Sequence, residues 1–156
     1  MKRLKIISLI LILFLVSGCS YVSDFFIYNL SNQAITIVYT LTKPSSYGMF
    51  ITNPDVYKIN TENEENKLTK VENEMVKYSS STQTVTCTIN SKEALRIGNE
   101  INFTLSNYDE RKQIGENVGQ LTITRITTCD TLTCNGNYIY LLLSELDDNK
   151  FGIRIE

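Results

Sequence analysis

The sequence predicts an all-β fold, an antiparallel β-sandwich of immunoglobulin-like or Greek-key connectivity, with a small barrel as the alternative. Three observations lead there. The 156 residues are rich in Thr, Ile, Val, Tyr and Asn yet contain only Ala34 and Ala94 as alanines, a balance that favours the pleated sheet over the helix. Several segments alternate apolar and polar residues with a period of two, the pattern of a strand with one face in water. Turn-forming clusters separate these segments, and neither a long helical period nor an internal repeat interrupts them. A nucleotide bias toward Ile, Asn, Lys and Tyr would give a similar composition, so the periodicity decides.

The chain begins with a different kind of segment. Lys2, Arg3 and Lys5 form a basic start, Ile6 to Val16 is an apolar run interrupted only by Ser8, and Ser17 and Gly18 are small. These are the three parts of an export signal. A membrane-spanning helix needs about 20 apolar residues, so the run is too short for a permanent anchor helix and reads as cleaved.

Val16-Ser17-Gly18-Cys19 resembles the lipobox of the bacterial lipoproteins, matching it at each position. The resemblance implies that a signal peptidase of type II cuts between Gly18 and Cys19, that the Cys19 sulfur carries a diacylglycerol, and that the new α-amine carries a fatty acid such as palmitate. It covers residues 1–19 and implies nothing about the mature fold. A thiolate suits the thioether chemistry because it is the nucleophilic form of the side chain. Two or three acyl chains anchor far more firmly than one. Ser20 follows in place of the Asp that retains many lipoproteins at the inner membrane, which resembles the outer-membrane sorting pattern of a diderm host. The expected organisation is a cleaved signal over 1–18, a tether over 19–24 and one β-rich domain over 25–156.

Within that domain, Phe25 to Leu30 is a first apolar run. Ile35, Ile37, Tyr39 and Leu41 then alternate with Thr36, Val38, Thr40 and Thr42 as a half-buried strand, ended by Lys43-Pro44-Ser45-Ser46-Tyr47-Gly48. Met49 to Ile51 and Val56 to Ile59 read as two short strands around Asn53-Pro54-Asp55. Leu68, Val71 and Met75 fall at spacings of three and four, which allows one short helix near 66–77, its many charges forming a solvated face. Val85, Cys87 and Ile89 alternate with threonines, and Ile101, Phe103 and Leu105 alternate with Glu100, Asn102 and Thr104. A polar loop over Asn107 to Gly119 leads to Leu121 and Ile123. Tyr138 to Leu143 is apolar throughout and suits a central strand; Asp147 to Lys150 turns the chain into a last strand, Phe151 to Ile155.

Chemistry is sparse. The chain has no His, which removes Ser-His-Asp and Cys-His nucleophiles and His-containing zinc sites. Three cysteines remain besides Cys19, too few to complete a tetrahedral site by themselves, so no metal or other cofactor is expected. The carboxylates Asp109, Glu110, Glu145, Asp147 and Asp148 are the conceivable members of a glycosidase-type pair, though each sits in a turn-like stretch where such residues build turns. Cys129 and Cys134 can close a small disulfide loop in an oxidising compartment, or remain two reduced thiols; Cys87 reads as a buried core thiol. Removing Lys2, Arg3 and Lys5 from the 15 Lys plus Arg leaves 12 against 17 Asp plus Glu, a mature net charge of about −5. An acidic domain without a basic run argues against nucleic-acid binding.

The function expected is that of a lipid-anchored cell-envelope module, held to the membrane by acyl chains on Cys19 and binding a protein or glycan, without catalysis. Tyr138 and Tyr140, on one face of the expected central strand, are its candidate binding patch. The alternatives are a carbohydrate-active enzyme using a carboxylate pair and an envelope inhibitor or assembly-machine component.

Overall fold

The computed structural model describes residues 20–45, 48–60, 67–72, 75–107, 115–147 and 149–156. Among them the strands are β1 (Val22–Asn29), β2 (Ile35–Leu41), β3 (Asp55–Asn60), β4 (Lys67–Val71), β5 (Lys77–Ser79), β6 (Thr84–Ile89), β7 (Glu93–Ile101), β8 (Val118–Arg125) and β9 (Thr131–Asn135). A 3-10 helix, Gly136–Leu142, and strands β10 (Ser144–Asp147) and β11 (Lys150–Ile155) complete the chain. Two sheets face each other as a sandwich. One is six-stranded in the order β10-β11-β1-β7-β3-β4, the other five-stranded in the order β5-β6-β2-β8-β9. The pairings are antiparallel except that β1 and β11 run parallel, Asp24 lying opposite Lys150 and Asn29 opposite Ile155.

The alternating strands behave as their patterns require. In β2 the residues Ile35, Ile37, Tyr39 and Leu41 point into the core, facing the same way as Val85, Cys87 and Ile89 of β6 and Leu121 and Ile123 of β8. Their alternates, Thr36, Thr40, Thr84, Thr86, Thr88, Thr122 and Thr124, cover the outer face of the five-stranded sheet. Threonine pairs such as Thr36 with Thr88, 3.2 Å between hydroxyls, tie neighbouring strands together there. The six-stranded sheet supplies Phe25, Ile27, Leu95, Ile97, Phe151, Ile153 and Ile155 to the same core.

That sheet is buried on its other face as well. Phe26, Tyr28, Ile59 and Ala94 form a second cluster with Tyr57, Leu68 and Leu146. Beside it Arg96 bonds Asp24 at 2.7 Å, and Lys70 bonds Asp55 at 2.7 Å. Strands buried on both faces lose their alternation, which explains the unbroken apolar run of β1.

The structure corrects several expectations. Residues 66–77 hold no helix among those described: Lys67–Val71 is β4 and Lys77–Ser79 is β5. Val71 pairs with Val56 on the core side while Leu68 pairs with Ile59 on the other, so the spacing of three joins opposite faces of a strand. Tyr138 to Leu143 is no central strand. Asn135 caps a 3-10 helix by accepting the Asn137 amide, and a period near three buries Gly136 and Ile139 while exposing Tyr138 and Leu141. The helix carries the chain from β9 to β10, one edge of each sheet. The strand expected near Ile101 lies earlier, over Glu93–Ile101, because Asn102 turns left-handed at φ 56° and stops it. Met49 makes an isolated bridge to Gly98 instead of opening a strand. The 19–24 tether is shortened too, since β1 begins at Val22.

Candidate functional site

At the end of the sandwich where β1 starts, the β2–β3 connection and both ends of the β7–β8 connection converge on a cleft of about 430 Å³. This is the proximal end; the end where β1 stops, near Asn29, is the distal one. The base of the cleft is apolar. Phe25 of β1 and Phe103, just past β7, meet edge to face with ring centroids 4.9 Å apart, and Met49 packs beside them. The rim is polar: Lys43 and Gly48 come from the link between β2 and β3, Glu100 and Asn102 from the end of β7, and Glu116 and Asn117 from the approach to β8.

Backbone bonds lock these connections to one another. Asn117 donates its side-chain amide to the Met49 and Phe50 carbonyls, and its own carbonyl accepts the Thr42 amide at 2.9 Å. The Thr42 hydroxyl donates to the Glu116 carbonyl at 2.7 Å. Asn99 donates its amide to the Gly48 carbonyl at 3.2 Å, and Ile51 donates to Ile97 at 2.9 Å. Positive φ recurs around the cleft, at Gly48, Phe50, Gly98 and Asn102. Phe50 is a bulky residue at φ 62°, and full burial of its ring against Tyr39, 5.1 Å between centroids, holds it there. The Tyr39 hydroxyl in turn donates to the Ile51 carbonyl at 2.5 Å. A preformed cleft with an apolar base and a rim of carboxylates, amides and one ammonium suits a ligand with one apolar face and several hydrogen-bonding groups.

The start of the chain is fastened to the same place. Tyr21 donates its amide to the Asn102 side chain at 3.0 Å, its carbonyl accepts the Asn102 amide at 2.9 Å, and its hydroxyl donates to the Phe103 carbonyl at 2.9 Å.

The residues singled out in the sequence do not assemble here. Cys19 lies outside the described residues, as do Asp109, Glu110 and Asp148. Glu145 and Asp147 stand exposed on the edge strand β10, where Asp147 accepts a bond from Lys150 at 2.8 Å. Tyr138 is 59% exposed, whereas Tyr140 is half-buried and packs on the core, so the two form no shared flat patch.

Cys129 and Cys134 are free thiols, a correction to the expected disulfide. Cys129 sits exposed in the β8–β9 turn with φ 59°, and Cys134 lies opposite Leu121 on the core-facing side of β9. Cys129 belongs to the turn and Cys134 to the extended strand β9 that follows it, and no bond joins them. Burial pushes the Cys134 thiol up. Cys87 is fully buried in the core, and burial, with a smaller contribution from Glu93, pushes its thiol up to about 12.

Glu100, Glu116, Asn117, Lys43 and Asn102 escaped the sequence reading. Each belongs to a common polar type, and only the fold brings Lys43, just past β2, beside the two ends of the β7–β8 connection.

Comparison with protein-family models, with curated proteins and with solved structures gives no match to this chain.

Proposed function

We propose that this chain is a lipid-anchored cell-envelope protein whose β-sandwich serves as a binding or structural module for a protein or glycan. The observation that carries the reading is the order of the first residues: a lipobox ending at Cys19, then Ser20 and Tyr21, then the first strand at Val22. The proximal cleft is the module's candidate site, and its mixed lining fits a hydroxyl-rich or peptide ligand. Ser20 after the anchor favours the outer membrane in a diderm host.

Mass spectrometry of protein from its own host tests the anchor. The expected N-terminus is Cys19 carrying diacylglycerol and a fatty acyl group, and Cys19→Ser is expected to retain residues 1–18. A wild-type chain starting elsewhere, or lacking acyl mass, overturns the reading. For the module itself, glycan arrays and co-purification of the detergent-solubilised protein should give a ligand whose capture Asn117→Ala or Lys43→Ala weakens. A second reading, a carboxylate-pair glycosidase, rests on Glu100 and Glu116 both lining this cleft. It demands glycan cleavage that Glu100→Gln and Glu116→Gln each abolish.

A further inference from the structure

We propose that the proximal end of the sandwich lies flat against the bilayer that holds the acyl chains, with Val22 and Ile101 seated at the boundary between headgroups and hydrocarbon. The proposal rests on the lipoprotein reading and adds an orientation to it.

Chain length restricts where this end can be. Three residue steps separate Cys19 from Val22, at most about 11 Å when fully extended. Little of that span can swing, because the Tyr21 backbone and hydroxyl are already bonded to Asn102 and Phe103. A thioether at Cys19 therefore holds Val22 within a short reach of the membrane surface.

The residues found there are the wrong ones for water. Val22 and Ile101 face each other in the β1–β7 register and are 53% and 63% exposed. They continue the side of the six-stranded sheet that carries Phe26 and Tyr28, past Asp24 and Asn99. Tyr21, next to them, is 38% exposed and presents an apolar ring with a polar tip, the side-chain type that tolerates a membrane interface. Exposed apolar side chains such as Tyr138 and Leu141 occur elsewhere on the domain, but this pair on neighbouring strands is the one that the tether can bring to a cover. The bilayer, brought within reach by the tether, is that cover. Charge does not drive the contact: the mature chain is net acidic, so apposition should survive high salt and need no anionic lipid.

Orientation has a consequence for the cleft. Ile101 and Asn102 belong to its lining, so its ligand reaches it from beside the membrane and not from the distal end.

The chain contains no Trp, so one introduced Trp reports its own surroundings. The acylated protein carrying Ile101→Trp is reconstituted into phosphatidylcholine vesicles with and without brominated acyl chains. Ile126→Trp is the control: Ile126 is exposed and its amide bonds the Ala34 carbonyl at the distal end, roughly 25 Å of β1 away. Val22→Trp is the second probe should position 101 not accept the ring. The expected result is blue-shifted emission and quenching by bromine several-fold stronger at 101 or 22 than at 126, unchanged in high salt. Equal quenching at the two ends, in protein that floats with the vesicles and carries acyl mass, overturns the orientation and leaves the lipoprotein reading standing. A blue shift without bromine quenching means that a second copy covers the pair, and it overturns the orientation too. A chain without acyl mass that stays out of the vesicles overturns both.

Discussion

Gly98 is the position where one methyl group tests the packing of the proximal end. It lies at φ 152°, bridges Met49, and sits where β7 slips register against β1, between the pairs Phe25–Gly98 and Phe26–Arg96. A Cβ built there stands 2.0 Å from the Gly48 carbonyl oxygen and 2.9 Å from both the Gly48 carbonyl carbon and the Met49 Cα. All three are backbone atoms, so no side chain can rotate away. Gly98→Ala must push the 48–49 segment off β7, lengthening the Asn99-to-Gly48 and Ile51-to-Ile97 bonds. Overpacking costs about 1–3 kcal/mol, an L-residue at this φ about 1–2, and weakened hydrogen bonds about 1 more. The expected loss is about 3–6 kcal/mol, a large part of the ~5–15 kcal/mol that holds a domain together. Gly48→Ala is the matched control. It too has positive φ, 85°, but nothing lies within 4 Å of its Cβ, so only the backbone cost of about 1–2 kcal/mol remains. Urea unfolding followed by far-ultraviolet circular dichroism measures both. A Gly98→Ala loss no larger than that of Gly48→Ala would refute the close approach.

Ser23 is fully buried and its hydroxyl has no hydrogen-bond partner among the described residues, so Ser23→Ala is expected to leave stability unchanged or raise it by about 1 kcal/mol in the same urea assay. Asn29 is the reverse case: its buried side chain donates to the Gln33 and Asn90 carbonyls at 2.8 and 2.9 Å and accepts the Ser31 hydroxyl at 2.6 Å, and Asn29→Ala should cost about 2–4 kcal/mol by stranding those groups. Cys87 and Tyr28 are each pushed up to about 12 from ordinary values of 9.0 and 10.0, chiefly by burial, with Glu93 adding to Cys87 and Asp147 to Tyr28. The unfolded chain releases these protons first, so their stabilisation is complete below pH 9 and drains as the pH climbs toward 12, by up to about 1.4 kcal/mol per pH unit per group. Cys87→Val should flatten the part of that slope beginning near pH 9, read from urea midpoints across the range. Deleting residues 150–156 should leave no folded domain by circular dichroism, since it strips Phe151, Ile153 and Ile155 from the core and unpairs one edge of β1.

What the sequence revealed depended on where each strand faces. Strands β2, β6 and β8 have one side in the core and one in water, so Ile, Val, Leu and Cys alternate with Thr, and the period could be read directly. Strand β7 has Leu95 and Ile97 in the main core and Ala94 in the second cluster on its other face, and the stretch Glu93 to Gly98 shows no such period. Leu68, Val71 and Met75 imitate a helix because an edge strand pairing Val71 with Val56 and Leu68 with Ile59 needs apolar residues on both faces. Tyr138 to Leu143 has no polar residue to mark a face, so a run of this kind fits a period of two or of three, and the cap at Asn135 decides. Cys129 and Cys134 are close in sequence, but the distance across them depends on β9 being extended. The cleft was invisible for a related reason: Lys43 follows β2, whereas Glu100 and Glu116 flank the β7–β8 connection, and their adjacency is a product of the sheet order.

That order also bears on how the sheet around β1 is completed. Strand β1 lies between β7 and β11, so neither of its partners is its neighbour in sequence, and the parallel pairing joins Asp24 to Lys150 across nearly the whole domain. Pairings of such long reach carry the full loop-closure cost before any hydrogen bond offsets it. Phe25, Phe26, Ile27 and Tyr28, which together bury both faces of β1, therefore have partners on both sides only once the last strand joins β1 opposite β7. In the proposed lipoprotein these are also the residues nearest the anchor. A chain held at Cys19 keeps β1 at the membrane surface while the rest of the sandwich gathers, and β11 is the strand that closes over it. Under that proposal the short link from Cys19 to Val22 and the central place of β1 act together: a pull on the proposed lipid would enter the sheet along β1 and be shared by the hydrogen bonds to both of its neighbours.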